Sequence, residues 1–337
     1  MSLGFKTGKL PWNILLELIS ILPTKDPDLV VGPAIGEDAA IIRFKDGFLV
    51  IHSDPITAAS RRIGWLAVHI AANDIAVRGV KPKWFLPVIM LPNNFNKDDI
   101  RGVFEDLKKA LEEVNGVVIG GHTEISPEIS KPIISTTAIG YTMDRVILTR
   151  DAHPGDHVVV IGRIGGEGAS IIAWDFEEKL RGKNIDQKII DRTKKYIENI
   201  SVVDKALTIK NYVNSMHDPT EGGILQGLRE LALASNTGII LDLDQITIDE
   251  NISTIVGSMG LDPLRILSSG ALIATVPDNR LEDLIKILEE KNYQYSICGL
   301  VVKDNPGKVI LKKQGKIVEV IDYDIIDEIY KLWRNIK

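Results

Sequence analysis

The sequence predicts an α/β (α+β) protein of two domains, 1–150 and 151–337. Three observations lead there. The chain has 337 residues, enough to bury two cores. Strand-like and helix-like patterns are mixed in both halves. A turn sequence, Pro154-Gly155-Asp156, restarts the pattern near the middle without a long linker.

Pro11 opens a first helix, with Ile14, Leu15, Leu18, Ile19 and Leu22 on one face. Two strand-like runs follow, Ala39 to Phe44 and Phe48 to His52, and Asp46-Gly47 between them signals a hairpin turn. A long helix runs from about Ser60 to Arg78, with an apolar stripe through Ile63, Leu66, Ala67, Ile70 and Ala71 and a stop at Gly79. Trp84 to Leu91 reads as a buried strand, Asn96 caps a further helix that Gly116 ends, and Val117 to Ile119 and Ile133 to Tyr141 read as strands. In the second half, Val158 to Ile161 is a strand running into a glycine-rich loop, 162–168, and then a helix. Helices are expected over 186–210, 221–235 and 279–291, and strands over 238–243, 270–276, 296–302 and 308–313.

The composition narrows the function. Hydrophobic residues make up 45% and charged residues 26%, which excludes a largely disordered or low-complexity chain. Net charge is −6 and no basic block stands out, so no nucleic-acid partner is expected. No apolar run approaches the length of a membrane span, so no membrane partner is expected either. The single cysteine, Cys298, lies in an apolar strand pattern and reads as a core residue. A cytoplasmic protein is the expectation.

Four acidic spots sit where strands or helices should end: Gly36-Glu37-Asp38, Ser53-Asp54, Asn73-Asp74 and His217-Asp218-Pro219-Thr220-Glu221. Carboxylate and amide oxygens of this kind suit Mg²⁺. Each also has a plainer reading. Asp38 and Asp54 fit turns, Asp74 fits an i,i+4 pair with Arg78, and Asp218-Pro219-Thr220-Glu221 resembles a helix start capped by Asp218. Asp74 falls beside a core-facing stripe, where a carboxylate needs a partner. Gly120-Gly121-His122-Thr123-Glu124 offers close backbone approach beside an imidazole, a hydroxyl and a carboxylate, or else forms a polar turn. Gly8-Lys9 reads as a phosphate-reaching arm or a solvated tail. The 162–168 loop matches neither the dinucleotide fingerprint nor a P-loop, and an anion site or a packed turn both stay open there.

The order of these segments, together with Asn73-Asp74-Ile75-Ala76-Val77-Arg78-Gly79-Val80-Lys81-Pro82, Gly222-Gly223 and Leu267-Ser268-Ser269-Gly270, resembles the aminoimidazole ribonucleotide (AIR) synthase superfamily, also called PurM-like. That group includes thiamine-monophosphate kinase, selenophosphate synthetase and the hydrogenase-maturation protein HypE, whose motifs are the most similar. The resemblance covers about residues 8 to 302 and implies a homodimer whose N-terminal domains build a shared β-barrel, with a C-terminal α/β domain. It implies ATP and Mg²⁺ bound at that interface, and phosphorylation or activation of an oxygen of a small-molecule substrate. By position it implies Asp38, Asp54 and Asp74 as metal ligands. Lys9, Asn73, Gly120, Gly121 and Thr123 would be nucleotide contacts, and Asp74, His122, Asp218 and Glu221 catalytic or substrate-side groups.

Two departures shape the expectation. The family usually has an acid where His122 stands, which implies a lost metal or a changed substrate contact. HypE proteins end in a cysteine that carries the group being dehydrated. The stretch Tyr330 to Lys337 has none, so that chemistry on its own tail is not expected. No cysteine precedes Lys9, which disfavours selenophosphate synthesis. The alternatives are a thiamine-monophosphate kinase, a nucleotide-binding maturation partner without turnover, or a HypE-like subunit that works with a protein partner.

Overall fold

The computed structural model describes residues 8–57, 59 and 61–333; Ala58, Ser60 and residues 1–7 and 334–337 lie outside the described residues. The first half runs α1 (Trp12–Ile19), β1 (Leu29–Val31), β2 (Ala40–Phe44), β3 (Gly47–Ile56), α2 (Ile63–Ala76), β4 (Pro82–Pro92), α3 (Lys97–Val114), β5 (Val117–Val118), β6 (His122–Ser126) and β7 (Ile133–Thr142). The second runs β8 (His157–Ile161), α4 (Gly166–Asp175), α5 (Glu177–Gly182), α6 (Gln187–Lys194), α7 (Val203–Ile209), β9 (Ser215–His217) and α8 (Gly223–Ser235). It continues with β10 (Gly238–Asp242), α9 (Glu250–Ser258), β11 (Leu272–Val276), α10 (Asp278–Glu290), β12 (Tyr295–Val302), β13 (Val309–Lys313), β14 (Lys316–Ile321) and α11 (Tyr330–Trp333).

The strands form two sheets. The first has the order β1-β2-β3-β7-β4-β5, with β6 also on β4; the second has the order β14-β13-β10-β12-β8-β11-β9. Both are mixed: β4 pairs in parallel with β5 and β6, and β10 with β13, among otherwise antiparallel neighbours. The mixed α/β reading therefore holds.

Several elements differ from expectation for identifiable reasons. Phe44 pairs with Gly47, so the hairpin turn is Lys45-Asp46, with Lys45 at φ 52°. Gly47 serves close approach instead, since a Cβ there would sit 2.2 Å from the Thr142 carbonyl oxygen. The first helix begins one residue after Pro11 and buries none of its residues. Asn96 caps α3 through a capping box with Asp99, as its sequence suggests, but the left-handed cap is Asn115 rather than Gly116. The 186–210 helix breaks into α6, a 3₁₀ turn and α7. The region around His122 extends into a strand, β6, because its backbone pairs along β4 from Val88↔His122 to Pro92↔Ser126.

The largest difference concerns α2. Its sequence suggests an amphipathic helix, yet every residue from Ile63 to Ala76 is buried. One face packs on the first sheet and on α3, while the other meets the second half of the chain. Its polar groups are therefore bonded internally. Trp65 Nε1 donates to the Ile197 carbonyl at 2.8 Å. Asn73 Nδ2 donates to the Ile200 carbonyl at 2.9 Å, and Asn73 Oδ1 accepts from Val202 N–H at 2.8 Å. Asn73 is thus a clasp between the halves, with its amide engaged by backbone groups on both sides.

Among the described residues no helix is long and apolar enough to cross a membrane. Asn73→Ala should leave a buried N–H and a buried carbonyl without partners, at a cost of about 2–4 kcal/mol. Urea unfolding checks this, and a change below about 1 kcal/mol would show that water replaces the clasp.

Candidate functional site

Four acids predicted from separate segments come together. Asp38 enters from the loop before β2, Asp54 from β3, Asp74 from the last turn of α2 and Asp218 from the residue after β9. Ligand atoms of Asp38, Asp74 and Asp218 all lie within 4.8 Å of one another, and so do those of His52, Asp54 and Asp74. Asp74 belongs to both sets and lies 3.3 Å from His52 Nε2.

The expected plainer roles are not taken up at two of these positions. Arg78 does not pair with Asp74. The fully buried guanidinium instead holds Glu37 through Nη1 and Asp38 through Nη2, each at 2.9 Å. Asp218 does not cap the next helix, because α8 starts at Gly223 with Gly222 as its N-cap in a left-handed conformation. Asp74 is 5% and Asp218 2% exposed. Asp74 Oδ2 and both carboxylate oxygens of Asp218 have no hydrogen-bond partner. Unpaired buried carboxylates are costly in an otherwise closed protein. Burial raises the Asp74 carboxyl well above its usual range, and Asp218, Asp38 and Asp54 add to the effect. Burial, followed by Asp38, raises Asp218 too. Hard oxygen donors gathered at this spacing fit a divalent ion such as Mg²⁺.

Asp38 differs from the other three. Its Oδ2 accepts from Arg78 and lies 2.8 Å from His217 Nδ1. His217 Nε2 lies 3.0 Å from Glu230 Oε2. Burial opposes charge on this imidazole, but the two flanking carboxylates outweigh it and lift His217 to about 10. Asp38 is in turn held well below the usual carboxylate range: His217, Arg78 and His52 together overcome the opposing effect of burial. The loop reaches this position because Gly36, at φ 73°, lies against α8, where a Cβ would stand 2.7 Å from the Glu230 carbonyl oxygen.

Asp54 also lines a cavity of about 730 Å³, which extends from the acids to the C-terminal helix α11. That volume suits a small organic ligand. Lys9, Thr220, Glu221, Glu167, Ser269 and Tyr330 also face it. Lys9 Nζ is half-exposed and lies 3.5 Å from Glu230 Oε1; Glu230 raises its pKa against burial, and Asp38, Glu221 and Asp54 act with it. Glu221 accepts from the Tyr330 hydroxyl at 2.8 Å. Gly120, Gly121, His122 and Thr123 do not line this cavity. They are exposed, and His122 Nε2 lies 3.1 Å from Glu124 Oε2, outside both ligand sets.

Sequence reasoning missed His52, Glu37, His217, Glu230 and Glu167 as contributors. His217 and Glu230 carry no spacing signal, since strand β9 and helix α8 bring them together. Glu167 was hidden inside the glycine loop. It is 5% exposed, no cation pairs with it among the described residues, and its Oε2 accepts from Ser269 N–H at 3.4 Å. Burial raises its carboxyl to about 7, against the Ser269 hydroxyl and that backbone bond.

Two family models match the chain: the N-terminal domain of AIR synthase related proteins over residues 36–142, and the C-terminal domain over 153–312. A Methanocaldococcus jannaschii protein provisionally assigned to hydrogenase expression/formation is 31% identical over 338 residues, spanning 94% of this chain and 96% of that protein. The thiamine-monophosphate kinase of Pyrococcus horikoshii is 29% identical, spanning 84% of this chain and 87% of its own length. The carbamoyl dehydratase HypE of Rhizobium leguminosarum is 28% identical, spanning 80% and 78%. Among solved structures, a thiamine-monophosphate kinase complexed with AMPPCP and TMP superposes with a TM-score of 0.73 at 21% identity, covering 94% of this chain and 98% of that one. HypE in complex with ATP superposes with a TM-score of 0.66 at 22% identity, covering 87% and 91%.

The buried Glu167 makes a pH prediction. Its folded pKa of about 7 lies above the ordinary 4.5, so folding disfavours its charged form. Below the ordinary value the group is neutral in both states and costs nothing. As pH rises through that window the unfolded chain ionises first and stability falls. Above the folded value the full cost applies, about 3 kcal/mol at most. Glu167→Gln should therefore stabilise the protein at pH 8 and change little at pH 4, as measured by denaturant unfolding at both. An equal effect at the two pH values would contradict the assignment.

Proposed function

The chain belongs to the AIR synthase related family, and on that footing we propose that it is an ATP- and Mg²⁺-dependent enzyme of the cytoplasm. It phosphorylates an oxygen of a small molecule, or activates that oxygen as a phosphate ester. One observation carries the reading: ligand oxygens of Asp38, Asp74 and Asp218 lie within 4.8 Å of one another, those of Asp54 and Asp74 do so too, and Asp54 lines a cavity of about 730 Å³.

Phosphoryl transfer asks little covalent chemistry of a protein. It asks for charge neutralisation, alignment and exclusion of water. Asp38, Asp54, Asp74 and Asp218 would hold the divalent ions, which neutralise phosphate charge when bound. Arg78 and His217 fix Asp38 in one orientation, so its geometry does not depend on ligand. Lys9 stands at the cavity with its cation toward the acids and is placed to meet phosphate oxygens. Glu221, oriented by Tyr330, lies on the substrate side.

The Gly120-to-Thr123 segment enters this reading through a second copy of the chain. Val88, Val117, Val118, Ile119 and Ile125 are exposed on the strands and loop around it, an apolar face that a homodimer would cover. Pairing of the two first sheets there, as a shared barrel, would carry the glycine segment toward the partner's site. The division between the two domains falls near residue 150.

Thiamine-monophosphate kinase is the second reading, supported by a relative of that name matching 84% of this chain. Phosphorylation of thiamine monophosphate in vitro would decide for it.

Calorimetry of ATP binding with and without Mg²⁺ tests the main proposal. Binding should depend on Mg²⁺ and weaken at least about tenfold in Asp74→Asn. The same substitution should stabilise the unliganded protein by about 1–3 kcal/mol at neutral pH, because it removes a carboxyl whose charged form folding disfavours. No Mg²⁺-dependent binding by the wild type would sink the proposal. Asp38→Ala is the poorer probe, since it also strands Arg78 and His217.

A further inference from the structure

A second cavity, of about 330 Å³, lies on the other side of a wall formed by Gly166-Glu167 and Ser269-Gly270. Gly166 and Ser269-Gly270 line it, while Glu167 and Ser269 line the larger cavity. It is built around the glycine-rich loop that precedes α4, of which Glu167 faces the larger cavity.

The glycines of that loop are not equivalent. A Cβ on Gly162 would sit 2.3 Å from the Gly270 carbonyl oxygen, and one on Gly168 would lie 2.8 Å from Ile266 Cδ1. Gly165 caps α4 at φ 72°. Packing or conformation therefore requires these three. Gly166 has neither constraint: its φ is not positive, and a Cβ would meet only the Arg163 Cβ, at 3.4 Å. What its missing side chain leaves open is the N-terminus of a ten-residue helix, facing the cavity. Of the N–H groups there, that of Gly165 donates to Ser268 Oγ and that of Gly168 to the Leu267 carbonyl, which leaves those of Gly166 and Glu167 at the positive end of the helix dipole.

Three side chains converge on the same space. Arg163 lies over the Tyr196 ring at 4.9 Å, and its Nε lies 3.7 Å from Asp249 Oδ2. Lys205 Nζ donates to the carbonyls of Ser201 and Gly270. Ser269, 2% exposed, lines both cavities; its hydroxyl makes no well-formed hydrogen bond, though it lies near enough to the Glu167 carboxyl to favour its charged form. Burial, then Arg163, lowers the Lys205 ammonium to about 8, against Asp204 and Glu113. Those two acids stand on the same cavity, but Asp204 is engaged by the Tyr293 hydroxyl and Glu113 is half-exposed beside His69.

The geometry points to a second anion site, in which the N-terminus of α4, Lys205, Arg163 and the Ser269 hydroxyl receive the phosphate group of a small molecule. Its ligand is either free phosphate or a phosphomonoester. The site is independent of the metal cluster, which shares none of these residues.

Calorimetry on the full chain in metal-free buffer tests it, with inorganic phosphate and ribose 5-phosphate as probes. Saturable binding of at least one probe is expected. It should weaken about tenfold or more in Lys205→Met and in Gly166→Ala, and persist in Asp74→Asn. Gly166→Ala keeps Lys205 and places a methyl group in the opening, so it still reads the site should Lys205→Met fold poorly. The tighter probe identifies the source of the phosphate. Absence of saturable binding by either probe would overturn the assignment. So would binding that survives both cavity substitutions or disappears in Asp74→Asn.

Discussion

One buried chain of charge supports the site. Glu37 and Asp38 hold Arg78, Asp38 holds His217, and His217 holds Glu230. The chain passes from the loop before β2 through the end of α2 to β9 and α8, and so stitches the first sheet's surroundings to the second's. Each cation lies between two acids, which is what makes full burial of Arg78 and His217 tolerable. Removing one member would strand a charge rather than merely lose a contact. The rigid placement of Asp38 follows from this arrangement.

Asp74 and Asp218 receive the opposite treatment. They are buried like His217, yet neither Asp218 oxygen has a hydrogen-bond partner, and Asp74 Oδ2 has only the His52 imidazole nearby, at 3.3 Å. The fold thus pairs one set of charges and leaves an adjacent set of carboxylates with unpartnered oxygens. Functional sites concentrate such local costs, which stability elsewhere must offset. A cation of the right size would turn the unsatisfied set into the more tightly bound of the two.

Much of this was legible in the sequence, and the exceptions have physical causes. The acids at Asp38, Asp54, Asp74 and Asp218 were visible because each stands at the end of an apolar pattern. Most core strands were visible because alternation or apolar runs mark them. Helix α2 was misjudged as one-sided because its outward residues, such as Ala72, Asn73 and Ala76, are small or amide-bearing. Small residues suit close packing on a second side as well as a surface. His217 and Glu230 could not be found by spacing, since tertiary contact alone pairs them. Nothing local marks the strand at His122–Ser126, because its two leading glycines suit a ligand loop or a turn, while its pairing partner, β4, lies some thirty residues earlier. Glu167 looked like one more polar residue in a loop; only the packing around it makes it a buried acid.

The two-sided burial of α2 also bears on how the chain is made. Strand β3 pairs with β7, so the first sheet cannot close until residue 142 has been synthesised. Even then Trp65 and Asn73 lack the carbonyls of Ile197 and Ile200, and Arg78 lacks the Met216 carbonyl. The first half therefore leaves the ribosome with a helix whose outer face has nothing to cover it. Folding of that half waits on a segment translated seconds later, at ordinary elongation rates of about 5–20 residues per second. During that interval the exposed face of α2 is the part of the nascent chain most in need of a chaperone.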